Sequence, residues 1–249
     1  GRERGQESPQ YKHAREVESK VFRAADRVVV TTSMMRDELT SRIPGSTDRT
    51  LVIPNYVDTS VFKPGSEDRE QGRLVFVGRM TSQKNVAGLL EAIEPIDVRL
   101  TLIGDGELLP ELQRRYGTLN GRLQWLGNVA NSNLPEHLNH ASMFVLPSYY
   151  EGHPKTLLEA MACGLAVITT DVPGIREIIR HRENGFLTGT SPSDLRQAIT
   201  EVVSDPGLRN HMGSNARQYI LERFGLERIV DLELGLLAEL VRHNVQSQR

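Results

Sequence analysis

The sequence predicts an α/β fold in which helices cover both faces of a parallel sheet. From Arg73 onward, short apolar runs of strand length alternate with segments whose apolar residues recur at helical spacing. Gly or Pro stands at most of the junctions between them, where strands and helices end. Continuous apolar runs are typical of strands buried on both faces in βαβ units. The predicted domain is therefore Rossmann-like.

The elements of this domain follow from the two patterns. Six strands are predicted from the apolar runs, namely Leu74–Val77, Val98–Ile103, Leu123–Leu126, Met143–Leu146, Leu165–Thr169 and Phe186–Leu187. Six helices are predicted between and after them, namely Val86–Ile93, Leu108–Tyr116, Pro135–His140, Lys155–Ala162, Ile175–Ile179 and Leu195–Val203. A further helical stretch is predicted from about Leu208 to Val245.

The first part of the chain does not follow this repeat. Its predicted elements are a helix over Tyr11–Ala25, a strand over Arg27–Val30, a helix over Ser33–Thr40 and a strand over Leu51–Ile53. A polar linker is predicted over 64–72. The predicted organisation is the end of another domain with the linker in 1–65, the Rossmann-like domain in 66–225, and a helical tail in 226–249 that packs back toward the amino-terminal segment.

Composition excludes several classes of protein. The 249 residues include 30 Lys and Arg and 32 Asp and Glu, so the net charge of −2 favours no nucleic-acid partner. No apolar stretch approaches the ~18 residues that a membrane span needs. The single cysteine, Cys163, can form neither an internal disulfide nor a CxxC site, and it is interpreted as a small core residue. This cysteine usage fits the cytoplasm.

Membrane contact is left open by the first predicted helix. Its basic residues are diluted by acidic ones, which favours a solvated helix over peripheral contact with the inner face of a membrane. No histidine pair has the HExxH spacing of a metal site, and no GxSxG segment is present.

Two carboxylates eight positions apart, Glu151 and Glu159, flank the point where a predicted buried strand gives way to a helix. In a parallel sheet this is the carboxyl end of a strand, where such folds bind ligands. Between them, Gly152 allows close approach of the backbone to a ligand, and Pro154 suits the first turn of the helix. The amides that this helix start leaves free, and that favour a phosphate, are those near Lys155 and Thr156. The alternative is a loop acid and a solvated helix acid.

A second segment, 78–85, follows the first predicted strand of the domain and begins with Gly78. Arg79 can donate two parallel hydrogen bonds to phosphate oxygens, and Lys84 offers a compact positive charge. Together they could neutralise a diphosphate. Solvated surface cations are the alternative.

Two other segments that follow strands give weaker signals. Gly104-Asp105-Gly106 lacks the third glycine of the dinucleotide fingerprint, so a tight turn is the better interpretation and hydride transfer is not supported. Asn128 and Val129 lie where a nucleotide base could rest on the backbone, although an ordinary loop explains them equally well.

In combination these motifs resemble the carboxyl-terminal half of the family 4 retaining glycosyltransferases, enzymes of the two-domain GT-B fold. The resemblance covers about residues 11–245, and its landmarks occur in the family's order. They are Pro54–Asp58, Phe62–Pro64, Val77–Arg79 with Lys84, Pro147-Ser148, Glu151 with Glu159, Ala160–Gly164, Thr170–Gly174 and Asn184-Gly185.

The resemblance implies a UDP- or GDP-sugar donor. Arg79 and Lys84 would hold its diphosphate, Glu159 would bond the ribose hydroxyls, and Glu151 would contact the sugar near the reacting carbon. Arg79, Lys84 and Glu151 are thus the candidate catalytic residues. The implied donor-binding set is Gly78, Arg79, Lys84, Asn128, Val129, Glu151, Gly152, His153, Pro154, Lys155, Thr156 and Glu159. No metal or other cofactor is expected, because the cations and the helix start supply the positive field.

The implied reaction transfers a hexose-type sugar, with retention of configuration, to a glycan, lipid or small-molecule acceptor. Such a reaction belongs to polysaccharide or glycolipid biosynthesis. The sequence departs from the family at Tyr56, where Gly is usual, and at Ala166, where Pro is common. The segment His153–Thr156 is one of several variants of the family's loop.

The family's amino-terminal domain has no counterpart ahead of Tyr11. Residues 1–65 are therefore expected to be the last elements of that acceptor-side domain. The chain alone is expected to bind nucleotide but transfer sugar poorly, and a separately supplied amino-terminal domain is an expected partner. Two alternatives remain open: a GT-B nucleotide-sugar epimerase, and a non-catalytic nucleotide-sugar-binding fragment or partner subunit.

Overall fold

The computed structural model describes residues 8–66 and 69–247, in two compact units. The smaller unit combines the described residues up to Pro54 with those from Asp231 onward, and the larger unit consists of the described residues of Asn55–Val230. The larger unit begins ahead of the predicted boundary near residue 65, because Val57 and Phe62 are buried in its core. Residues 67 and 68 of the predicted linker lie outside the described residues, as do residues 1–7 of the predicted amino-terminal segment.

The smaller unit begins with helix α1 (Pro9–Ala24), strand β1 (Val28–Val30), helix α2 (Ser33–Arg42) and strand β2 (Thr50–Val52). All four agree with the predicted elements to within a few residues. A hydroxyl side chain caps the start of each helix, Ser8 for α1 and Thr32 for α2. Each hydroxyl accepts a hydrogen bond from a backbone amide of the first turn, which stabilises the helix start. The two strands pair in parallel, with Val28 opposite Thr50.

The larger unit contains a six-stranded sheet in which all neighbouring strands are parallel. The order across the sheet is β5-β4-β3-β6-β7-β8. The strands are β3 (Glu70–Val77), β4 (Arg99–Ile103), β5 (Leu123–Gly127), β6 (Ala141–Leu146), β7 (Ala166–Thr170) and β8 (Phe186–Thr188). Every residue of β6 and β7 is buried, which accounts for their continuous apolar runs.

Strand β3 begins earlier than predicted, inside what the sequence presents as linker. Its first residue, Glu70, pairs with Ala141 of β6, and its carboxylate accepts hydrogen bonds from Arg73 and Arg99 at 2.5 and 2.6 Å. Because these paired side chains are polar, the start of β3 has no apolar run in the sequence. The apolar pattern therefore could not predict that the strand begins there.

The helices of the larger unit connect and flank these strands. They are α3 (Val86–Ile93), α4 (Leu109–Tyr116), α5 (Leu134–His140), α6 (Lys155–Ala162), α7 (Pro173–Arg176), α8 (Pro192–Ser204) and α9 (Pro206–Arg223). The last helix, α10 (Leu226–Ser247), starts in the larger unit and continues into the smaller one. Among the described helices, none is both long and apolar enough to cross a membrane.

Two predicted helices need correction. The helix predicted over Ile175–Ile179 ends at Arg176, because Pro173 starts it earlier and the Asn184 side chain bonds the Arg180 amide and the Ile178 carbonyl. The single stretch predicted from Leu208 to Val245 is two helices. Val57 separates them, since its amide donates to the Phe224 carbonyl at 2.9 Å and its carbonyl accepts from the Leu226 amide at 3.0 Å.

Candidate functional site

The strand order creates a crevice at the middle of the sheet. Strands β3, β4 and β5 extend to one side of the centre, and β6, β7 and β8 extend to the other. The loops after β3 and β6 therefore leave the carboxyl edge of the sheet on either side of the switch point, where open α/β sheets bind ligands. The loop after β3 contains 78–85, and the loop after β6 contains 147–154.

Direct hydrogen bonds join these two loops. The Tyr149 amide donates to the Gln83 carbonyl at 2.9 Å, and the Gln83 side chain donates to the Tyr150 carbonyl at 2.9 Å. Next to them, Lys84 Nζ lies 2.6 Å from Glu151 Oε1. The structure thus brings together the two segments that the sequence analysis selected separately.

The ion pair between Lys84 and Glu151 is largely removed from solvent. Its side chains are 13% and 6% exposed, respectively. The buried hydroxyl of Ser148 donates to the same carboxylate oxygen at 2.6 Å. Charges in such surroundings interact more strongly than in water, so an anion that enters the crevice competes with Glu151 for the Lys84 ammonium.

Arg79, in contrast, has an exposed side chain on a firmly held backbone. The amide of Gly78 donates to the Ile103 carbonyl at 3.0 Å, and the amide of Met80 donates to the Asp105 carbonyl at 2.9 Å. Gly104 has φ +126°, and a Cβ there would lie 2.1 Å from the Gly78 carbonyl oxygen. The turn after β4 therefore supports the loop that carries both cations.

Glu159 lies on α6 and is 2% exposed. Burial raises the pKa of its carboxyl group, opposed by a hydrogen bond from Asn131 and by the charge of Lys155. The Asn131 amide nitrogen donates to Glu159 Oε1 at 3.3 Å. A buried carboxylate with so long a hydrogen bond has unused capacity to accept from hydroxyl groups.

Helix α6 starts at Lys155, immediately after Pro154, and no side chain caps it. Helix geometry leaves the amides of Lys155 and Thr156 without acceptors inside the helix, so they present positive partial charge to the crevice loop. Lys155 itself is exposed, with Nζ 4.7 Å from the centre of the Tyr56 ring. Tyr56 is one of the two residues at which the sequence departs from the pattern of the resembled family.

His153 is buried just before this helix. Its carbonyl accepts a hydrogen bond from the Asn55 side chain at 2.6 Å, and its ring packs 5.3 Å from that of Phe224. Nδ1 has no hydrogen-bond partner among the described residues. Burial lowers the pKa of His153 to about 4, so the ring is neutral at pH 7.

The remaining predicted residues have less defined positions. Gly152 lies against α7, since a Cβ on Gly174 would lie 2.0 Å from the Gly152 carbonyl oxygen. Asn128 is exposed and Val129 is partly buried against the core. Cys163 is buried, as predicted, and burial raises its pKa to about 12.

Sequence reasoning missed three polar residues of the site. Ser148 was visible as half of the Pro147-Ser148 pair that follows a buried strand. Asn131 stands in an Asn-Ser-Asn turn, and Gln83 stands in a polar loop, so neither had a distinctive signal. Among the described residues, no cluster of three or more His, Cys, Asp or Glu could hold a metal ion.

Comparison with known protein families assigns this architecture. A model of the family described as "Glycosyl transferases group 1" matches residues 58–219, which include both crevice loops and α6. The chain belongs to the group 1 glycosyl transferases. The parallel sheet flanked by helices is accordingly that of the carboxyl-terminal domain of GT-B glycosyltransferases, as predicted from the sequence.

Several enzymes are similar along much of the chain. The α-maltose-1-phosphate synthase of Mycolicibacterium smegmatis is 30% identical over 250 residues, covering 88% of this chain and 65% of the relative. An Escherichia coli UDP-Gal:α-D-GlcNAc-diphosphoundecaprenol α-1,3-galactosyltransferase is 31% identical over 211 residues, covering 76% and 54%. The chain therefore spans less than two thirds of the length of these relatives.

Solved structures show the same fold. Sucrose-phosphate synthase from Thermosynechococcus elongatus superposes with a TM-score of 0.81 at 25% identity, covering 96% of this chain and 64% of the synthase. The Anabaena protein HepE, in complex with UDP and glucose, also gives 0.81 at 22% identity, covering 93% and 69%.

Proposed function

We propose that this group 1 glycosyl transferase chain supplies the donor site of a retaining family 4 glycosyltransferase. The donor is a UDP- or GDP-hexose, and the acceptor is a glycan, a lipid or a small molecule. The observation that carries the proposal is the Lys84–Glu151 ion pair at 2.6 Å, held between two cross-bonded loops at the switch point of the sheet.

The donor diphosphate binds to the loop after β3 and to the start of α6. Lys84 exchanges the Glu151 carboxylate for phosphate oxygens. The exposed Arg79 adds a bidentate pair of guanidinium hydrogen bonds to the phosphate. The amides of Lys155 and Thr156 face the same anion from the helix start. Because several fixed positive groups serve the diphosphate, the proposal includes no metal ion.

The nucleoside binds beside Glu159. The buried carboxylate accepts hydrogen bonds from the two ribose hydroxyls, which compensates the cost of its burial. Asn131 orients the carboxylate through its 3.3 Å hydrogen bond. The base is proposed to rest on Asn128 and Val129, which follow directly after β5.

In the proposed transfer, the bond between the reacting carbon of the sugar and the diphosphate breaks, the acceptor hydroxyl oxygen bonds to the same face of that carbon, and the hydroxyl proton passes to the leaving diphosphate. As the first bond breaks, negative charge grows on the leaving diphosphate, and Arg79, Lys84 and the helix amides stabilise it where it develops. Once Lys84 turns to phosphate, the Glu151 carboxylate loses that ion pair and its other oxygen faces the sugar, near the reacting carbon. Ser148 keeps one carboxylate oxygen in place during that exchange.

The similar proteins support this choice of donor. HepE has been crystallised with UDP-glucose, and the E. coli relative is a UDP-galactose-dependent transferase. The whole enzyme also needs an acceptor-binding part to exclude water from the sugar. The smaller unit is proposed to belong to that part.

Calorimetric titration of UDP, GDP and their hexose conjugates tests the donor site with two opposite variants. Lys84→Met should weaken nucleotide binding at least about tenfold, because a charge-assisted contact to phosphate is lost. Glu151→Gln removes the competitor of phosphate for Lys84, so nucleotide binding should be retained or tightened while sugar transfer falls. Lys20→Met, at an exposed lysine of α1, is the matched control.

The outcomes separate the proposal from its alternatives. If no nucleotide binds, or if both crevice variants bind like the Lys20→Met control, the donor-site proposal is wrong. A donor sugar with an inverted centre, formed without acceptor, indicates an epimerase. Tight binding with an intact donor, in the presence of acceptors and a supplied amino-terminal domain, indicates a binding module.

A further inference from the structure

The larger unit has a second recess, far along the strands from the donor crevice. It is a cavity of about 840 Å³ bounded on one side by Gln71, Ser142 and Ala166. These residues lie at the amino ends of β3, β6 and β7, whereas the crevice loops leave the carboxyl ends. The other wall is one face of α9. A ligand here would not contact the crevice loops.

Three arginines line this cavity: Arg69, Arg209 and Arg217. Its described lining contains no Asp or Glu, and Asn210 and Ser214 add exposed polar groups on the same face of α9. Burial lowers the pKa of Arg69 and of Arg217, which reflects how poorly water solvates their charge. The cavity is thus lined by cations without carboxylate partners among the described residues.

Neutral backbone carbonyls hold the guanidinium groups in fixed positions. Arg69 donates to the Cys163 and Gly164 carbonyls at 2.5 and 2.8 Å, just beyond α6. Arg217 donates to the Ala162 carbonyl at 2.7 Å, and Arg209 donates to the Val202 carbonyl at 2.9 Å. Carbonyls at helix carboxyl ends carry only partial negative charge, so they orient the arginines without neutralising them.

We propose that this cavity is a binding site for a phosphate-bearing anion, separate from the donor crevice. Guanidinium groups present rigid pairs of N–H donors that match phosphate oxygens. Arg69 uses two of its five N–H groups on protein oxygens, and Arg209 and Arg217 use three each, so every one of them retains at least two for a ligand. The volume falls in the range of small-molecule sites, which run from ~300 to ~1,000 Å³. A phosphorylated metabolite and a lipid phosphate headgroup share the chemistry that the cavity recognises.

The test is calorimetric titration of pyrophosphate into the full chain carrying Lys84→Met, which weakens the proposed donor site. Binding is expected to persist there. Adding Ser214→Glu places a carboxylate on the α9 wall without removing an arginine, and it should weaken pyrophosphate at least about tenfold. Asn210→Asp changes the shape of the side chain very little and should also weaken pyrophosphate binding. It replaces Ser214→Glu as the test variant if that substitution lowers the melting temperature.

A charge-matched control comes from Gln113→Glu, at an exposed position of α4 outside the cavity, which should leave binding unchanged. Glu67→Gln with Asp68→Asn removes the acids that precede Arg69 in the sequence, and it should retain or tighten binding. The proposal fails if pyrophosphate does not bind in the Lys84→Met background, or if the α9 variants bind it as Gln113→Glu does.

Two parallel measurements identify the source of the phosphate. Cosedimentation with phosphatidic acid vesicles that is lost in Ser214→Glu identifies a lipid headgroup. Pyrophosphate binding without such cosedimentation identifies a soluble phosphorylated ligand. Both results support the site, and neither depends on whether the crevice binds a nucleotide sugar.

Discussion

His153 and Glu159 are both buried near the start of α6, and burial moves their pKa values in opposite directions. The pKa of the histidine falls and that of the carboxyl group rises, so each group is biased toward its neutral form. At pH 7 the imidazole contributes no charge. The positive potential of the crevice therefore comes from Arg79, Lys84 and the helix amides.

The low pKa of His153 predicts a loss of stability in acid. The unfolded chain takes up a proton at about pH 6.5 and the folded chain only at about pH 4, so protons favour the unfolded state between these values. The free energy of unfolding should decrease by up to about 3 kcal/mol from this residue as the pH falls from 7 to 4. Urea unfolding of wild type and His153→Gln at both pH values measures it.

His13→Gln provides the comparison, because His13 is an exposed histidine of α1. It should show the same acid sensitivity as wild type. Equal pH dependence in wild type and His153→Gln would contradict the burial of a neutral imidazole.

Among the elements, the short helix α7 fixes the crevice loop through one glycine. A Cβ on Gly174 would lie 2.0 Å from the Gly152 carbonyl oxygen and 2.3 Å from the Glu151 carbonyl oxygen. Both neighbours are backbone atoms, so Gly174→Ala must displace the loop. We expect a loss of about 1–3 kcal/mol in stability and weaker nucleotide binding, measured by urea unfolding and calorimetry.

Gly235→Ala in α10 is the matched control, since nothing lies within 4 Å of its added methyl group. It should stabilise the chain by about 0.5–1 kcal/mol, as helix alanines do. If Gly174→Ala were as harmless as this control, α7 would not hold the loop.

Elements with a repeating apolar pattern were predictable from the sequence. Helices over Val86–Ile93 and Lys155–Ala162 have the predicted bounds, because six of the eight residues in each are buried and most of these are apolar. The break between α9 and α10 was not predictable, since it depends on backbone bonds to Val57, far away in sequence. In the site, the paired acids were visible locally, but the Gln83 contacts exist only after β3 and β6 pair.

At the scale of the whole molecule, the two units have very unequal cores. The core of the smaller unit is built on Val28, Leu39 and Ile43, whereas the core of the larger unit spans the whole six-stranded sheet. Small cores and two-stranded sheets give little cooperative stability. The smaller unit should therefore open locally more often.

Hydrogen exchange measured by mass spectrometry tests this difference in the intact chain. Amides of β1 and β2 should exchange at least about tenfold faster than those of β6 at neutral pH. Equal protection of the amides in the two sheets from exchange would contradict the inference that the smaller core opens more often. Strand β7, buried along its length like β6, serves as the internal reference.

The pairing of β3 with β6 has a kinetic consequence. The two strands are neighbours at the centre of the sheet, but two complete strand–helix units separate them in the chain. Contacts so distant in sequence close a long loop and form slowly. The proposed donor crevice exists only after this closure, so a nucleotide bound there would not assist the early steps of folding. It can slow unfolding of the finished domain and thereby prolong its lifetime.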